Sequence, residues 1–401
     1  MKTPGPRQGF FLFLIKISAL KPPFSSKLPN LEASIFGHMN QVARETDAIN
    51  LAQGFPDFNP DPELVRLVRE AMEGPYNQYA PLAGIYSLRE AIAEKTESLY
   101  RAAYHPESEV TITAGATQAI YTAIACSVHE GDEVIVLKPA YDCYEPSIRV
   151  HGGVPVPLQL KGPDFEIDWE ALERALGPRT RMIVLNSPHN PSGTVLKKAD
   201  LERLERLLRP TDVLVLSDEA YEHLVFDGLE NQSICRFPGL RERAFVCASF
   251  GKTFHVTGWK MGYCLAPAPL MDEFRKVHEF LIFALNHPVQ RGLTAYLKDP
   301  STYLELGAFF QRKRDLFLQA LQPSRFRIKP SEGTYFQLAD YKAISNEGDV
   351  AFAERLARDF GVAGIPISVF NLDKVDNGFI RFCFAKKDET LLRAAEILCK
   401  V

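Results

Sequence analysis

Two lysines stand eight residues apart in the stretch Ser249-Phe250-Gly251-Lys252-Thr253-Phe254-His255-Val256-Thr257-Gly258-Trp259-Lys260-Met261-Gly262, with a serine hydroxyl three residues before the first. The apolar run Ala244 to Ala248 leads into it and predicts a buried strand. Ser249, Gly251, Gly258 and Gly262 are small enough to let backbone approach a ligand closely. A lysine amine condenses with an aldehyde, while a hydroxyl and a second cation hold a phosphate on the same molecule. Pyridoxal phosphate carries both groups. The stretch also reads as a glycine-rich loop with two solvated lysines, so the rest of the chain must decide.

The elements that would position these residues are short apolar runs alternating with helical patterns. The runs are Val110–Thr113, Glu133–Leu137, Val154–Leu160, Met182–Leu185, Val213–Leu216, Phe245–Ala248 and Met261–Leu265, with helix-length segments such as Ala116–Val128 and Lys198–Leu208 between them. Apolar strands joined by helical crossovers predict an α/β fold whose seven-stranded, mostly parallel sheet is covered on both faces. Ligands of such sheets sit at the carboxyl ends of the strands, so chemistry should fall just after the runs.

It does. Ala114-Gly115-Ala116-Thr117 follows the first run and opens a helix whose free N–H groups suit a phosphate, though a plain strand-to-helix turn has the same look. Lys138-Pro139-Ala140-Tyr141 follows the second, and Tyr141 there stacks on a flat heterocycle or belongs to the core. Asn186-Ser187-Pro188-His189-Asn190-Pro191-Ser192-Gly193 follows Met182–Leu185, a loop stiffened by two prolines that makes Asn190 a well-held amide donor. Ser217-Asp218-Glu219-Ala220-Tyr221 follows Val213–Leu216, and an aspartate there caps a backbone or pairs with a cation. The C-terminal third alternates helical patterns at Ser301–Leu321 and Val350–Phe360 with strands at Thr334–Leu338 and Gly378–Ala385. Arg381 interrupts the last strand. A buried guanidinium needs an anion, either a fixed acidic side chain or a ligand carboxylate.

Composition bounds the alternatives. The 401 residues are 46% hydrophobic and 24% charged, ordinary globular values with length for two domains. The net charge of −4 offers no basic stripe for nucleic acid. The 7 cysteines, at 126, 143, 235, 247, 264, 383 and 399, show no CxxC spacing and read as free thiols of a reducing, cytoplasmic compartment. His and Cys do not cluster, which argues against a metal. The apolar run Phe10–Leu20 is cut by Lys16, has no small-residue cleavage site and is too short to span a membrane. A signal peptide fits it less well than an upstream extension or mis-called start, partly disordered, with a segment lying on the body or on a neighbouring subunit as the alternative.

Taken together, the chain from about Leu31 onward resembles the class I aminotransferases of the fold type I pyridoxal phosphate enzymes. The resemblance rests on Asn50-Leu51-Ala52-Gln53-Gly54-Phe55-Pro56-Asp57-Phe58, Asn77-Gln78-Tyr79-Ala80-Pro81, Asn186 to Gly193, Ser217 to Tyr221 and Ser249 to Gly262, in that order. Asn77 to Pro81, the Lys252 loop and Arg381 to Lys387 are similar to the branch of methionine and kynurenine aminotransferases. The resemblance implies a three-layer α/β/α large domain over 61–294, a smaller α+β domain from 27–60 with 295–401, and an extension over 1–26. It implies that Lys252 holds the cofactor and acts as acid and base, with Asp218 facing the pyridine nitrogen. Asn190 and Tyr221 match donors to the phenolic oxygen, and Tyr141 matches the stacking ring. Ala116, Thr117, Ser249 and Lys260 match the phosphate cup, Lys260 standing where many relatives have arginine. Tyr79 matches a tyrosine that reaches the phosphate of a neighbouring subunit, implying a homodimer with shared sites. Arg381 matches the arginine that grips the substrate α-carboxylate, with the Gly54 backbone on the other side. Amino acids with uncharged side chains, methionine foremost and aromatic ones next, would give their amino group to a 2-oxo acid. Apolar residues expected near the pocket are Ile35, Phe36, Tyr335 and Phe336. Kynurenine transamination or β-elimination from cysteine S-conjugates is the alternative activity.

Overall fold

The computed structural model describes residues 25–29 and 31–401; the Phe10–Leu20 run lies outside them. Twelve strands occur among the described residues: β1 Ile49–Asn50, β2 Val110–Thr113, β3 Glu133–Lys138, β4 Val154–Gln159, β5 Thr180–Asn186, β6 Leu214–Asp218, β7 Ala244–Ser249, β8 Gly262–Leu265, β9 Phe336–Asp340, β10 Val362–Ala363, β11 Ile365–Pro366 and β12 Phe379–Cys383. All seven expected runs become β2 to β8, which form one sheet in the order β2-β8-β7-β6-β5-β3-β4. Runs such as Met182–Leu185 and Ala244–Ala248 are buried without alternation, as strands covered on both faces must be.

Strands β3 to β7 pair in parallel, whereas β8 is antiparallel to both β7 and β2. Six strands therefore end at one edge of the sheet, and β8 alone begins there. The helix Gly115–Ser127 packs on β7 and β8 and against the helix Ala268–Leu281. Ala116, Ala119 and Ala123 on its buried face keep it close. The helix Lys198–Leu208 buries Leu201, Leu204 and Leu208 as one stripe, and Asp200 caps it by accepting from the Lys197 N–H at 2.8 Å.

The C-terminal third builds a smaller antiparallel sheet, β11-β12-β9, while β1 pairs with β10. The segment around residue 50 thus joins the C-terminal part across more than 300 residues of chain (Ile49 opposite Val362). The strand expected at Thr334 starts two residues later, because Thr334 lies at φ 64° in the left-handed region, where no strand continues. No helix among the described residues is long and apolar enough to cross a membrane. No group of three or more His, Cys, Asp or Glu side chains among them is placed to hold a metal.

One buried ion pair fixes the segment that follows β6. Lys95, from the helix Tyr86–Tyr100, donates to Glu222 Oε1 at 2.6 Å, and both side chains are about 5% exposed. The Tyr263 and Tyr100 phenols donate to the two oxygens of Glu222 at 2.6 and 3.0 Å. His223, neutral because burial lowers its pKa, accepts from Lys95 at 3.1 Å through Nε2. Breaking such a pair from one side strands the other charge. Glu222→Ala is therefore expected to destabilise the fold by roughly 3–5 kcal/mol, measured by urea unfolding; a loss below about 1 kcal/mol would mean that water reaches Lys95.

Candidate active site

A cavity of about 390 Å³ opens where the ends of β2, β3, β5, β6 and β7 and the start of β8 meet the segment Gln53–Phe55 and the β9–β12 sheet. The ends of β2 and β3 contribute Ala116, Thr117 and Tyr141, and those of β5, β6 and β7 contribute Asn190, Tyr221, Ser249 and Lys252. Lys260 enters from just before β8, Gly54 from the N-terminal segment, and Phe336 and Arg381 from the smaller sheet. Ten of the twelve sequence-predicted site residues thus line one cavity. Asp218 lies beneath it, buried at the end of β6, and Tyr79 lies away from it.

Lys252 Nζ donates to the Gly54 carbonyl at 3.1 Å and sits over the Tyr221 and Tyr335 rings at 5.6 and 5.5 Å. Burial among these rings disfavours the ammonium and brings its pKa down to about 8, with Arg381 and Lys260 pushing the same way. Asp218 has both oxygens occupied: Oδ1 accepts from the Ala220 N–H at 3.1 Å and Oδ2 from the Tyr144 phenol at 2.6 Å. Its carbonyl accepts from Asn186 Nδ2 at 2.9 Å, and Asn186 Oδ1 accepts from the Asn190 N–H at 2.9 Å. The rigid loop after β5 is therefore tied to β6 at the cavity floor.

Arg381 is 1% exposed and has no carboxylate partner among the described residues. Its Nη1 donates to Asn190 Oδ1 at 2.6 Å, its Nη2 to the Ala52 carbonyl at 3.2 Å, and its Nε has no partner. The Phe336 ring lies 3.8 Å below the guanidinium carbon. Burial lowers its pKa to about 10, so it stays charged at neutral pH. The fixed acidic partner left open by the sequence is absent among the described residues, and the charge faces the cavity. With Asn190 Oδ1 turned to Arg381, its Nδ2 is the atom left to donate into the cavity.

At the opposite end, the helix Gly115–Ser127 begins with no side-chain cap, so its first N–H groups are available to an anion. Lys260 Nζ lies 3.7 Å from where a Cβ on Gly115 would stand. The two approach closely because Gly262 has no side chain: a Cβ there would come within 2.5 Å of the Ala248 carbonyl and 2.8 Å of the Gly115 backbone. A Cβ at Gly54 would likewise meet the Phe336 ring at 2.7 Å. The cavity therefore offers an anion cradle at one end, a nucleophilic amine with depressed pKa in the middle, and an unpaired guanidinium at the other end. This donor set fits a phosphorylated aldehyde beside an amino acid carboxylate.

Of the four apolar residues expected at the pocket, Phe36 and Phe336 line it. Ile35 faces a neighbouring cavity, and Tyr335 is fully buried with its phenol donating to the Gly54 carbonyl. Tyr335 therefore supports the wall without forming it. Tyr144 holds the Asp218 carboxylate and Asn186 its carbonyl; in the sequence Tyr144 is marked only by its spacing three residues after Tyr141, and Asn186 only by its place directly after Met182–Leu185. Tyr79 is 82% exposed and packs edge-on against Phe283 at 5.2 Å.

The family model for aminotransferase class I and II matches residues 46–398. The chain is 48% identical to the methionine aminotransferase of Escherichia coli (strain K12) over 93% of its own length and 97% of that protein. A crystal structure from Escherichia coli, reported as identifying a methionine aminotransferase function, matches with a TM-score of 0.92 and 47% identity, covering 94% of this chain and 99% of that one. Kynurenine–oxoglutarate transaminase 1 of Rattus norvegicus is 32% identical over 93% of this chain and 97% of that protein.

The depressed Lys252 pKa has a direct readout. In the cofactor-free protein, the Lys252 amine is expected to react with an acylating reagent half-maximally near pH 8, against about 10.4 for an ordinary lysine, by peptide mass mapping. A midpoint above 10 would show a hydrated side chain.

Proposed function

This chain belongs to the class I and II aminotransferases, enzymes that work with pyridoxal phosphate, and we propose that it moves the amino group of methionine, and less readily of aromatic amino acids, to a 2-oxo acid. The observation that carries the reading is Arg381, a buried charge facing the cavity with no acidic partner, beside apolar Phe36 and Phe336. The 48% identity to a methionine aminotransferase supports the side-chain choice. The aromatic walls and the likeness to kynurenine–oxoglutarate transaminases support kynurenine as a second donor.

Lys252 would hold the aldehyde carbon, Asp218 would face the pyridine nitrogen, and Asn190 Nδ2 and the Tyr221 phenol would donate to the phenolic oxygen. Tyr141 would cover the ring, and the Ala116 and Thr117 N–H groups, the Ser249 hydroxyl and Lys260 would hold the phosphate. Bound there, pyridoxal phosphate supplies an electron sink that acidifies the substrate's Cα–H and carries the amino group between two half-reactions. Lys252 Nζ, with a pKa of about 8, is poised to take the α-proton and give it back. Burial keeps the Tyr221 phenol protonated, so it acts as a donor. Arg381 binds the α-carboxylate bidentately and so fixes which Cα bond faces Lys252.

The cations that line the cavity are Lys252, Lys260 and Arg381, each with a task already. A distal carboxylate would enter without a partner, at a cost of several kcal/mol on the order of a buried unpaired ion, so aspartate should be a poor donor. A thioether enters an apolar slot without losing hydrogen bonds.

The 27–60 and 295–401 parts would form one domain around 61–294, a division supported by the pairing of β1 with β10. Tyr79, exposed and turned from its own cavity, supports a homodimer in which it reaches the phosphate of a second copy. The seven free thiols support a reducing, cytoplasmic setting.

Two experiments follow from this reading. Across a donor panel, Arg381→Ala should lower kcat/KM for every donor together by at least about 30-fold, from roughly 2–5 kcal/mol for a lost buried charge pairing, whereas Phe36→Ala should reorder the donors. A panel led by aspartate with methionine inert would overturn the specificity. Mixing inactive Tyr79→Phe and Lys252→Ala dimers under subunit exchange should restore activity through one intact site per hybrid; a fully active monomer by light scattering would refute shared sites.

A further inference from the structure

Asp218 lies at the end of β6 with 5% exposure, and no cation pairs with it at ion-pair distance among the described residues. Its neighbours include several titratable groups. Tyr141, Cys143 and Tyr144 approach from the segment after β3, Cys247 from its register position on β7, and Tyr221 and Lys252 from the cavity side. Burial raises the pKa of every phenol and thiol in that set, so they are neutral at physiological pH. Lys252 is the sole cation among them, and its influence on Asp218 is the weakest of those that act.

Two donors therefore decide the state of the carboxyl. Burial pushes its pKa up; the Tyr144 hydrogen bond is the largest influence pulling it down, followed by the Ala220 N–H. The Tyr144 contact at 2.6 Å is in the range of charge-assisted O–H···O bonds. Tyr144 is 2% exposed, at the start of the helix Tyr144–Val150. Because its own pKa is raised, first by burial and next by Asp218, the phenol keeps its proton and stays a donor. The residue also lines a second cavity of about 510 Å³, and Tyr144→Phe removes the phenol oxygen while keeping the ring.

We propose that Tyr144 is a positioning residue of this aminotransferase, whose phenol holds the Asp218 carboxylate in one orientation and in its charged form. The proposal rests on the reading that Asp218 faces the pyridine nitrogen. An anion at that point favours a protonated ring nitrogen, and a neutral carboxyl turned by rotation about its Cβ–Cγ bond does not. Tyr144 would thus never touch the cofactor, yet it would set how strongly Asp218 binds it.

The test compares apo wild type, Tyr144→Phe, Asp218→Asn and the double variant. Pyridoxal phosphate affinity is followed by fluorescence quenching from pH 5.5 to 8.5, with borohydride trapping on Lys252 and thermal unfolding as controls. Taking the ratio of variant to wild type cancels the titrations of Lys252 and of the phosphate. The expected ratio for Tyr144→Phe is a loss of about tenfold near neutral pH, in line with one charge-assisted hydrogen bond. It should deepen toward acid as the Asp218 carboxyl takes up a proton, while thermal unfolding stays cooperative with a melting temperature lowered by no more than a few degrees, as the loss of one buried hydrogen bond implies. In the Asp218→Asn background, Tyr144→Phe should cost almost nothing further, because it acts through the missing carboxylate. A ratio independent of pH, or full additivity in the double variant, would overturn the proposal. If wild type itself traps no cofactor on Lys252, the reading of the site fails, and the proposal fails with it.

Discussion

Everything at this site depends on one directional constraint: six strands of the central sheet end at the same edge. A strand end is where backbone N–H groups and loop side chains are released from the ladder. Placing six such ends along one edge, with β8 between β2 and β7, gathers Thr117, Tyr141, Asn190, Asp218 and Ser249 although they are spread over more than 130 residues of chain (117 to 249). The exception is as important as the rule. Because β8 runs against its neighbours, its beginning lies at that edge, and Lys260 arrives just before it. A parallel β8 would have carried Lys260 to the far side of the sheet.

The site is arranged as a balance of buried charges. Arg381 and Asp218 are both withdrawn from water and neither has an oppositely charged side chain as hydrogen-bond partner. Each is held by neutral dipoles: carbonyl oxygens and a ring face for Arg381, a phenol and an N–H for Asp218. Such an arrangement is costly for the empty protein and favourable once ligand charges arrive. The Lys95–Glu222 pair differs. There the opposite charges meet, with two phenols and an imidazole completing the shell. It serves rigidity, since it anchors the turn that carries Asp218 and Tyr221, and it has no unpaired charge to offer a ligand.

Much of this was legible in the sequence, for definable reasons. The central strands were readable because strands buried on both faces are nearly continuously apolar; β4, half-exposed at the sheet edge, was readable from its valines and leucine between Gly153 and Lys161. Lys252, Ser249, Asn190 and Asp218 were readable because they stand directly after those runs. The spacing of Ser249, Lys252 and Lys260 restricts the chemistry further. That residues near Gly54 belong with the C-terminal third was readable only through resemblance, since the β1–β10 pairing spans the sequence.

What the sequence could determine by itself was which residues stand at strand ends and what functional groups they bring, because that information is local. Only the tertiary structure decided which of those groups are paired. Arg381 faces the cavity without a carboxylate partner because none lies at ion-pair distance among the described residues; Asp142 acts on it only from farther off. Tyr335, apolar in pattern and expected at the pocket wall, is withdrawn because its phenol finds the Gly54 carbonyl. Tyr144 reaches Asp218 because β3 and β6 flank β5 in the sheet, a neighbourhood set by strand order, which no window of sequence contains. Pairing, burial and the resulting protonation states are long-range quantities, and they turn a set of suitable residues into an active site.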